Sequence, residues 1–217
     1  VISIALFFFY MGFHRPIIVE RTRLGRRYAL YTEHSLNYRN TGKLFKELNA
    51  DIKDIFSGNL RFGVFYDDPN MIVDQNKCRA SVGIYIEPNE ITKAQGFAAV
   101  HKNYHFRELP ETNAVRSTFP YKNMLSIFWV VKKVFPAMMN YLVQEKLVEN
   151  LDDEMYGIFE NYHWATPHKY SEILIPYGKR VKLDKLTTIP SPTLKPEYRS
   201  RETKKIDQVY YYMYKIE

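Results

Sequence analysis

An antiparallel α+β fold is the class that the sequence predicts. Residues 60–66 form a β-rich run, a turn-forming Asp-Asp-Pro-Asn stretch follows at 67–70, and apolar residues alternate with polar ones across 78–86. This pattern indicates a long hairpin with one buried face. Residues 41–52 carry apolar side chains at helical spacing just before the hairpin, so we expect this helix to cover that face.

The same order of elements occurs a second time along the chain. The predicted elements are a strand, a long helix and two closing strands, at 114–119, 123–146, 155–160 and 170–175. We therefore expect two pseudo-repeated β-α-β-β units, with halves at about 26–87 and 105–177, in one domain over 15–178. No residue-level repeat accompanies this order, so the prediction concerns topology alone.

Three further elements complete the predicted domain. A strand at 27–33 opens the first half, a helix at 90–101 bridges the halves, and a short strand follows at 106–109. Pro136 lies within the second long helix, where its missing N–H and its ring disfavour an unbroken α-helix. We expect a kink or a division of the helix at that residue.

The N-terminal residues 1–14 are predicted to be a partial membrane anchor. Val1 to Phe13 is almost wholly apolar, and a helix over it would rise about 20 Å, short of the roughly 30 Å hydrocarbon core. The chain begins without Met, so we expect the segment to be cut. Arginines follow at once, which favours a cytosolic location for the domain. A signal peptide and a buried core helix are the alternatives.

The composition fits a folded domain in a reducing compartment. Apolar residues make up 46% and aromatic residues 16%, enough for a core, and the aromatic residues suit either a β-rich core or an aromatic-lined pocket. A single cysteine, Cys78, excludes a disulfide within the chain. The net charge of +7 lies largely near the two ends without any nucleic-acid motif. A membrane surface is therefore the favoured partner, and direct nucleic-acid binding is not expected.

The C-terminal residues 179–217 are predicted to be a basic, proline-containing tail. Pro190, Pro192 and Pro196 lie among Ser, Thr and Lys, which favours an extended linker. The Tyr-rich stretch 208–216 is strand-like again and would suit an edge strand or the start of a longer tail.

Motifs for the common enzyme classes are absent from the sequence. There is no phosphate loop, nucleophile elbow, zinc-ligand cluster or dinucleotide fingerprint. His101 and His105 have helical i,i+4 spacing but no third ligand nearby, so no metal is expected. No cofactor is expected either, and a catalytic function is less favoured than a binding function.

Two carboxylates in apolar surroundings are the remaining candidates for chemistry. Glu160 and Glu172 lie on the two closing strands and could face one concavity, with Tyr162 and Trp164 near its rim. A carboxylate against aromatic walls would have a raised pKa and could bind a cation or act as a general base. The alternative is that both glutamates point to solvent.

Several stretches resemble known families over roughly residues 26–176. The stretch 159–162 (Phe-Glu-Asn-Tyr) followed by 172–176 (Glu-Ile-Leu-Ile-Pro) resembles the end of gyrase-inhibitor-like, SOUL-related, small-molecule-binding domains. Residues 65–71 with 77–79, and 118–121 with 125–127, resemble the testis-expressed family of endoplasmic-reticulum autophagy (ER-phagy) receptors. The resemblance implies two strand-helix-strand-strand units around a cleft, with Glu172 as the pocket glutamate.

The resemblance also implies a cellular role. Such receptors tether the endoplasmic reticulum to autophagosomes through an aromatic-x-x-aliphatic motif that binds autophagosomal ubiquitin-like proteins. They are also linked to a AAA-family segregase. The resemblance implies an endoplasmic-reticulum membrane protein with a cytosolic domain, present also at the nuclear envelope and the autophagosome. The sequence departs from the family after Pro176, where it is basic and contains no such motif with acidic neighbours.

Two other functions are implied by the wider superfamily. Some gyrase-inhibitor-like proteins hydrolyse lipophilic cyclopropane electrophiles, with a glutamate and a tyrosine activating water. By that resemblance the catalytic residues here would be Glu172 and Tyr162. Glu160 would assist, and the ligand would stack on Trp164, Phe65 and Tyr66. Tetrapyrrole binding is the second alternative, ranked last because no histidine has an obvious ligand context.

Overall fold

Eight antiparallel strands form a single sheet in the computed structural model, which describes residues 7, 9–10, 12, 14–58, 60–122, 124–148, 157–163, 169–177 and 187–196. In chain order the strands are β1 (Glu20–Leu24), β2 (Arg27–Ser35), β3 (Arg61–Phe65), β4 (Arg79–Ile86), β5 (Tyr104–Leu109), β6 (Thr112–Pro120), β7 (Ile158–His163) and β8 (Tyr170–Pro176). The α+β class and the antiparallel sheet are confirmed. The gyrase-inhibitor-like fold and the internal repeat stay predictions.

Helices occupy the stretches where apolar residues recur at helical spacing. They are α1 (Thr41–Ile52), α2 (Ile91–Val100), α3 (Met124–Trp129) and α4 (Phe135–Gln144), with a π-helical turn at Val130–Val134 that joins α3 to α4. The bounds of α1 are those predicted, because its apolar stripe is unbroken.

The expected disturbance at Pro136 takes the form of this wide turn. The N–H of Phe135 bonds to the carbonyl of Val130, a five-residue spacing that moves the preceding carbonyls away from the proline ring. The helix therefore continues through Pro136 and is not divided there.

The strand β1 is the element that the sequence did not predict. It reads Glu-Arg-Thr-Arg-Leu, pairs with β6, and has no apolar alternation because it lies at the edge of the sheet. Charged residues on an edge strand oppose pairing with other chains. Because of these charged residues β1 shows no apolar pattern in the sequence, and the same residues suit its position at the edge of the sheet.

The sheet is curled. Two connections of only two residues each join a strand near one edge of the sheet to a strand near the other edge. The strand order is β1-β6-β8-β7-β3-β4-β2-β5. Gly25 and Arg26 join β1 to β2, and Pro110 and Glu111 join β5 to β6. A flat sheet would separate β1 from β2 by about 29 Å, whereas three peptide steps reach at most about 11 Å. The two edges must therefore approach each other at this end.

Helices cover one face of the sheet, called here the helix face, and lie side by side on its two halves. On the first half, Phe45, Leu48 and Ile52 of α1 pack on apolar residues of β2 and β4. On the second half, residues of the long helix pack on β6 and β8; the buried members of that cluster from these elements are Val115, Phe119, Val130, Val134, Met138, Leu142, Ile173 and Ile175. This face contains most of the hydrophobic core.

The opposite face of the sheet, called here the cleft face, is buried by the curl rather than by a described helix. Its buried cluster consists of Ala29, Tyr31, Phe62, Val64, Phe159 and Leu174. Leu24 of β1 and Leu109 of β5 pack against this cluster from the two edges. The interior of the curl is thus filled by the protein's own side chains.

A glycine in β4 permits this close packing. A Cβ atom on Gly83 would lie 2.4 Å from the carbonyl oxygen of Leu30, 2.7 Å from Cβ of Tyr31 and 2.9 Å from the ring of Phe62. The oxygen of Leu30 belongs to the backbone of β2 and the Cβ of Tyr31 is bonded to that backbone, so neither atom can move unless the strand shifts. The small residue is therefore required by the position.

The predicted anchor and tail are described only in part. Of residues 1–14 the structure describes Phe7, Phe9, Tyr10, Gly12 and His14. Within the described residues, no helix has both the length and the apolar character needed to cross a membrane. Of the predicted linker, 187–196 is described and lies against the domain, whereas the predicted strand at 208–216 falls outside the described residues.

Candidate functional site

The two candidate glutamates lie on opposite faces of the sheet. In the pairing of β7 with β8, Glu160 is opposite Ile173, and Glu172 is opposite Asn161. Because side chains of paired residues share a face, Glu160 belongs to the helix face and Glu172 to the cleft face. The expectation that both glutamates face one concavity is wrong. The alternative that both point to solvent is also wrong, since Glu160 is buried and the Glu172 side chain is only 15% exposed.

Glu172 lies at the centre of a polar cluster on the cleft face. The Nδ2 of Asn161 donates to Oε2 of Glu172 at 2.8 Å. The hydroxyl of Tyr85 donates in turn to Oδ1 of Asn161 at 2.9 Å. The Nε2 of His163 lies 3.6 Å from Oε2 of Glu172, beyond hydrogen-bond distance. The carboxylate is therefore connected to a phenol through one amide.

Arg116 supplies the positive charge beside this carboxylate. Its Nε lies 2.9 Å from Oε1 of Glu172, and its Nη1 lies 3.4 Å from Oε1 of Glu20. The Nε–H does not point at an acceptor with hydrogen-bond geometry, so the contact is an ion pair and not a directed hydrogen bond. Both oxygens of Glu172 are thus occupied by protein groups, and a ligand cation would have to displace Arg116.

Tyr85 acts as a hydrogen-bond donor in this cluster. Burial raises the pKa of its phenol to about 12, against lowering by the nearby Arg27. The Arg27 guanidinium carbon lies 5.0 Å from the centre of the ring, within cation–π distance. At neutral pH the phenol therefore keeps its proton and cannot serve as a base.

Glu160 and Tyr162 form a separate buried pair on the helix face. The Tyr162 hydroxyl donates to Oε2 of Glu160 at 2.5 Å, and the ring of Phe45 packs edge-on against Tyr162 at 5.0 Å. Burial raises the pKa of Glu160 to about 6, although the hydrogen bond from Tyr162 lowers it. Burial also raises the pKa of Tyr162 well above its ordinary value. The pair contacts core residues and lies on the far side of the sheet from the cleft.

The aromatic candidates are likewise divided between the faces. Phe65 lies on the helix side, where its ring packs edge-on against Tyr38 at 4.9 Å. Tyr66 lies on the cleft side and hydrogen-bonds to Ser81 at 3.0 Å. Trp164 falls outside the described residues. Among the predicted site residues that the structure describes, only Glu172 and Tyr66 lie on the cleft face, and no contact joins the two.

Three residues of the cleft cluster were missed from the sequence. Tyr85 could have been found, because the alternation in β4 places it opposite the apolar face. Arg116 alternates in the same way within β6, and Asn161 lies between the two residues that were singled out. These residues lie within a stretch of five neighbouring strands, β6-β8-β7-β3-β4, and the register between strands cannot be read from spacing within one strand.

Two small cavities lie on the cleft face. One has a volume of about 30 Å³ and lies between the approaching edges, where Leu24, Leu109, Phe159 and Pro176 line it. The other has a volume of about 10 Å³ and lies beside Tyr31, Phe62 and Tyr66. A drug-sized ligand needs about 300–1,000 Å³, so neither cavity can enclose one.

His101 and His105, which have i,i+4 spacing in the sequence, lie in different elements. α2 ends at Val100, so His101 follows the helix and His105 lies in β5. The His101 ring stacks on Phe97 at 4.1 Å, and the His105 ring lies 5.5 Å from that of Tyr31. Among the described residues no group of three His, Cys, Asp or Glu side chains is placed to hold a metal ion.

No family model matches the chain. The chain is 31% identical over 156 residues to human testis-expressed protein 264, a match that covers 70% of this chain and 48% of the relative. It is 29% identical over 130 residues to the mouse homolog, covering 58% of this chain and 40% of that protein. The chain thus spans about half the length of the curated relatives that it matches.

One solved structure supports the fold independently of sequence. EcmrR, in its complex with DNA, superposes with a TM-score of 0.52 at 10% identity, over 82% of this chain and 64% of that chain. This likeness shows a shared fold and nothing about activity. Together the homologues at about 30% identity support the resemblance to the testis-expressed family.

Proposed function

We propose that the chain is a membrane-anchored adaptor whose folded domain faces the cytosol at the endoplasmic reticulum. In this role it resembles the ER-phagy receptors. The similarity to human testis-expressed protein 264 supports the family on which this proposal rests. By the same resemblance the partners would be autophagosomal ubiquitin-like proteins and a AAA-family segregase.

The filled cleft is the observation that favours an adaptor over an enzyme. Phe62, Phe159 and Leu174 are each at most 4% exposed on the face where a ligand would bind. Burial of such side chains stabilises the domain by about 1.5–3 kcal/mol each. Opening the cleft for a ligand would remove part of that stabilisation. The interior of the curl therefore serves the domain as a second core.

The state of the cleft carboxylate agrees with this function. A general base needs a free carboxylate oxygen within reach of a water or a substrate proton. In Glu172 one oxygen accepts from Asn161 and the other faces Arg116. These contacts favour a structural role for the carboxylate.

A lipophilic-ligand hydrolase is the second candidate, and one specific feature favours it. The Tyr85–Asn161–Glu172 chain puts a phenol and a carboxylate on the same cleft. If the protein is a hydrolase, Tyr85 and not Tyr162 would be the tyrosine next to Glu172. Addition of water to a cyclopropane electrophile, followed by ligand mass, would reveal this activity. Loss of that addition in Glu172→Gln with an unchanged melting temperature would assign the role to Glu172.

Delivery of endoplasmic reticulum to lysosomes tests the adaptor function. The chain would be expressed with a reticulum-resident reporter whose fluorescence changes in acid, beside a variant lacking residues 1–14. The expected result is increased reporter delivery that requires autophagosome formation and is lost in the anchorless variant. The proposal would be overturned if the reporter reached lysosomes to the same extent in cells that express the chain, in cells that express the variant and in cells that express neither.

A further inference from the structure

Residues 187–196, called here the strap, form an ordered attachment to the domain. Leu194 forms an antiparallel bridge with Ile72 in the connection between β3 and β4. The N–H of Val73 donates to the carbonyl of Thr193 at 3.0 Å, and the N–H of Lys195 donates to the carbonyl of Met71 at 2.9 Å. The strap thus adds a short extended segment by main-chain pairing.

The other end of the strap is fastened to one carboxylate oxygen. Oε2 of Glu33 in β2 accepts from the N–H of Thr188 at 2.8 Å and from its hydroxyl at 2.8 Å. It also accepts a longer bond of 3.4 Å from the hydroxyl of Thr187. Within the described part of the chain Glu33 forms no ion pair, so these neutral donors are what satisfy its charge. We call this set of bonds the Thr188 lock.

The start of the connection with which the strap pairs is held by contacts that do not involve the strap. Asp67 and Arg79 form a buried ion pair in the β3–β4 connection, with side chains 6% and 10% exposed and an Nη2–Oδ1 distance of 2.8 Å. Asp67 also accepts from the N–H of Arg79 at 2.6 Å. The Tyr38 hydroxyl donates to the carbonyl of Arg79 and accepts from the N–H of Asp67. We therefore expect the connection to keep its structure when the strap leaves.

We propose that Thr188 is a phosphorylation site and that its phosphate releases the strap. The hydroxyl that holds Glu33 is on an exposed residue. Lys182 and Lys185 precede it in the sequence, and such basic residues suit a kinase with an acidic substrate groove. In the modification Thr188 Oγ bonds to the γ-phosphorus of ATP, the bond from that phosphorus to its β-bridging oxygen breaks, and ADP leaves. The hydroxyl proton passes to the base of the kinase.

Release follows from charge. A phosphate removes the hydroxyl donor and adds about −1.5 to −2 charges at pH 7. That charge lies directly against the Glu33 carboxylate, whose remaining partners are neutral. Like charges at hydrogen-bond distance repel each other, so the strap detaches from the domain. Residues 187–196 then form a flexible linker. The lock goes beyond the adaptor function and does not depend on it.

Hydrogen exchange of the full chain, followed by mass spectrometry, tests the lock. In Thr188→Glu we expect exchange over 187–196 and at Val73 to rise by at least about tenfold, because the variant loses hydrogen bonds to a charged group. Ser191→Glu is the matched control, because Ser191 is exposed and makes no hydrogen bond in the described part of the chain. The double variant Thr188→Glu with Glu33→Lys should restore protection. Equal exchange in the Thr188 and Ser191 variants would overturn the lock.

Phosphorylation itself is tested on the same chain. Incubation with a basophilic serine/threonine kinase and ATP should place phosphate on Thr188 and raise exchange across the strap. Absence of phosphate from Thr188, or phosphate there with unchanged exchange, overturns the proposal. Neither result changes the outcome of the reticulum-delivery measurement, so the lock and the adaptor function fail separately.

Discussion

Glu160 and Glu172 lie on neighbouring strands, yet the sheet separates their side chains. The pairing of Glu160 with Ile173 and of Glu172 with Asn161 places them on opposite faces. Glu160 is buried beneath the helices with a hydrogen bond from Tyr162, whereas Glu172 is paired with Arg116 in the cleft. The two carboxylates therefore do not act as one site.

The first prediction concerns the pH dependence of stability through Glu160. Its pKa is raised to about 6 in the folded state from about 4.3 in the unfolded chain. The folded state binds the proton more tightly, so the free energy of unfolding falls as pH rises from about 4.3 to about 6, and levels off above that. Glu160→Gln keeps an acceptor for Tyr162 and should gain about 2 kcal/mol at pH 7.5 and nothing at pH 4.

Urea unfolding between pH 4 and pH 8 measures this effect. Glu87→Gln is the control, since Glu87 is an exposed carboxylate. A Glu160→Gln variant that is less stable than the native chain at pH 7.5 would contradict the prediction, because the ionised carboxylate of Glu160 would then stabilise the folded protein.

The second prediction concerns the charge of the cleft. Arg116→Met removes the guanidinium that faces Glu172 and leaves a space of about that size, so the variant should gain affinity for a small cation such as methylguanidinium that the native chain does not bind. The melting temperature with and without such a cation measures this gain. Adding Glu172→Gln to the variant should abolish it. A native chain stabilised by the cation to the same extent would contradict the neutralising role of Arg116.

The third prediction concerns Gly83. Gly83→Ala places a methyl group 2.4 Å from a backbone oxygen of β2, so the strands must shift and the variant should lose about 1–3 kcal/mol or more of unfolding free energy. Gly96→Ala is the control, because it lies in α2 with open space around it. It should gain up to about 1 kcal/mol from helix propensity. Equal stability of the two variants would show that the cleft face is loosely packed.

The fourth prediction concerns the buried Asp67–Arg79 ion pair at the start of the β3–β4 connection. Asp67→Asn leaves Arg79 buried without its charge partner and should lower the free energy of unfolding by about 3–5 kcal/mol. Asp54→Asn is the control, since the side chain of Asp54 is 86% exposed, and it should change stability by about 1 kcal/mol or less. Chemical denaturation of both variants gives the comparison. A small loss for Asp67→Asn would mean that the pair does not hold the connection.

The sequence predicts those parts of the fold that depend on periodicity within one segment. α1 was located to the residue because Phe45, Leu48 and Ile52 form a clean stripe, and β4 because its alternation is long. β1 was missed because its charged residues give no apolar period. The strap was missed because its bonds join Thr188 to Glu33 across most of the chain.

The candidate site depends on register between strands, which spacing within a strand does not give. A slip of one residue between β7 and β8 would place Glu160 and Glu172 on the same face of the sheet. Glu172 lies on the cleft face and stays a candidate, while its neighbours Arg116, Asn161 and Tyr85 are found only from the pairing.

Reticulum delivery with three forms of the chain tests the adaptor function most directly. The native chain, Glu172→Gln and the variant lacking residues 1–14 would be compared at equal expression with the acid-sensitive reporter. An adaptor with a structural cleft predicts delivery by the native chain and by Glu172→Gln, and none by the anchorless variant. Loss of delivery in Glu172→Gln at an unchanged melting temperature would contradict it, because the chemistry of the cleft carboxylate would then be essential.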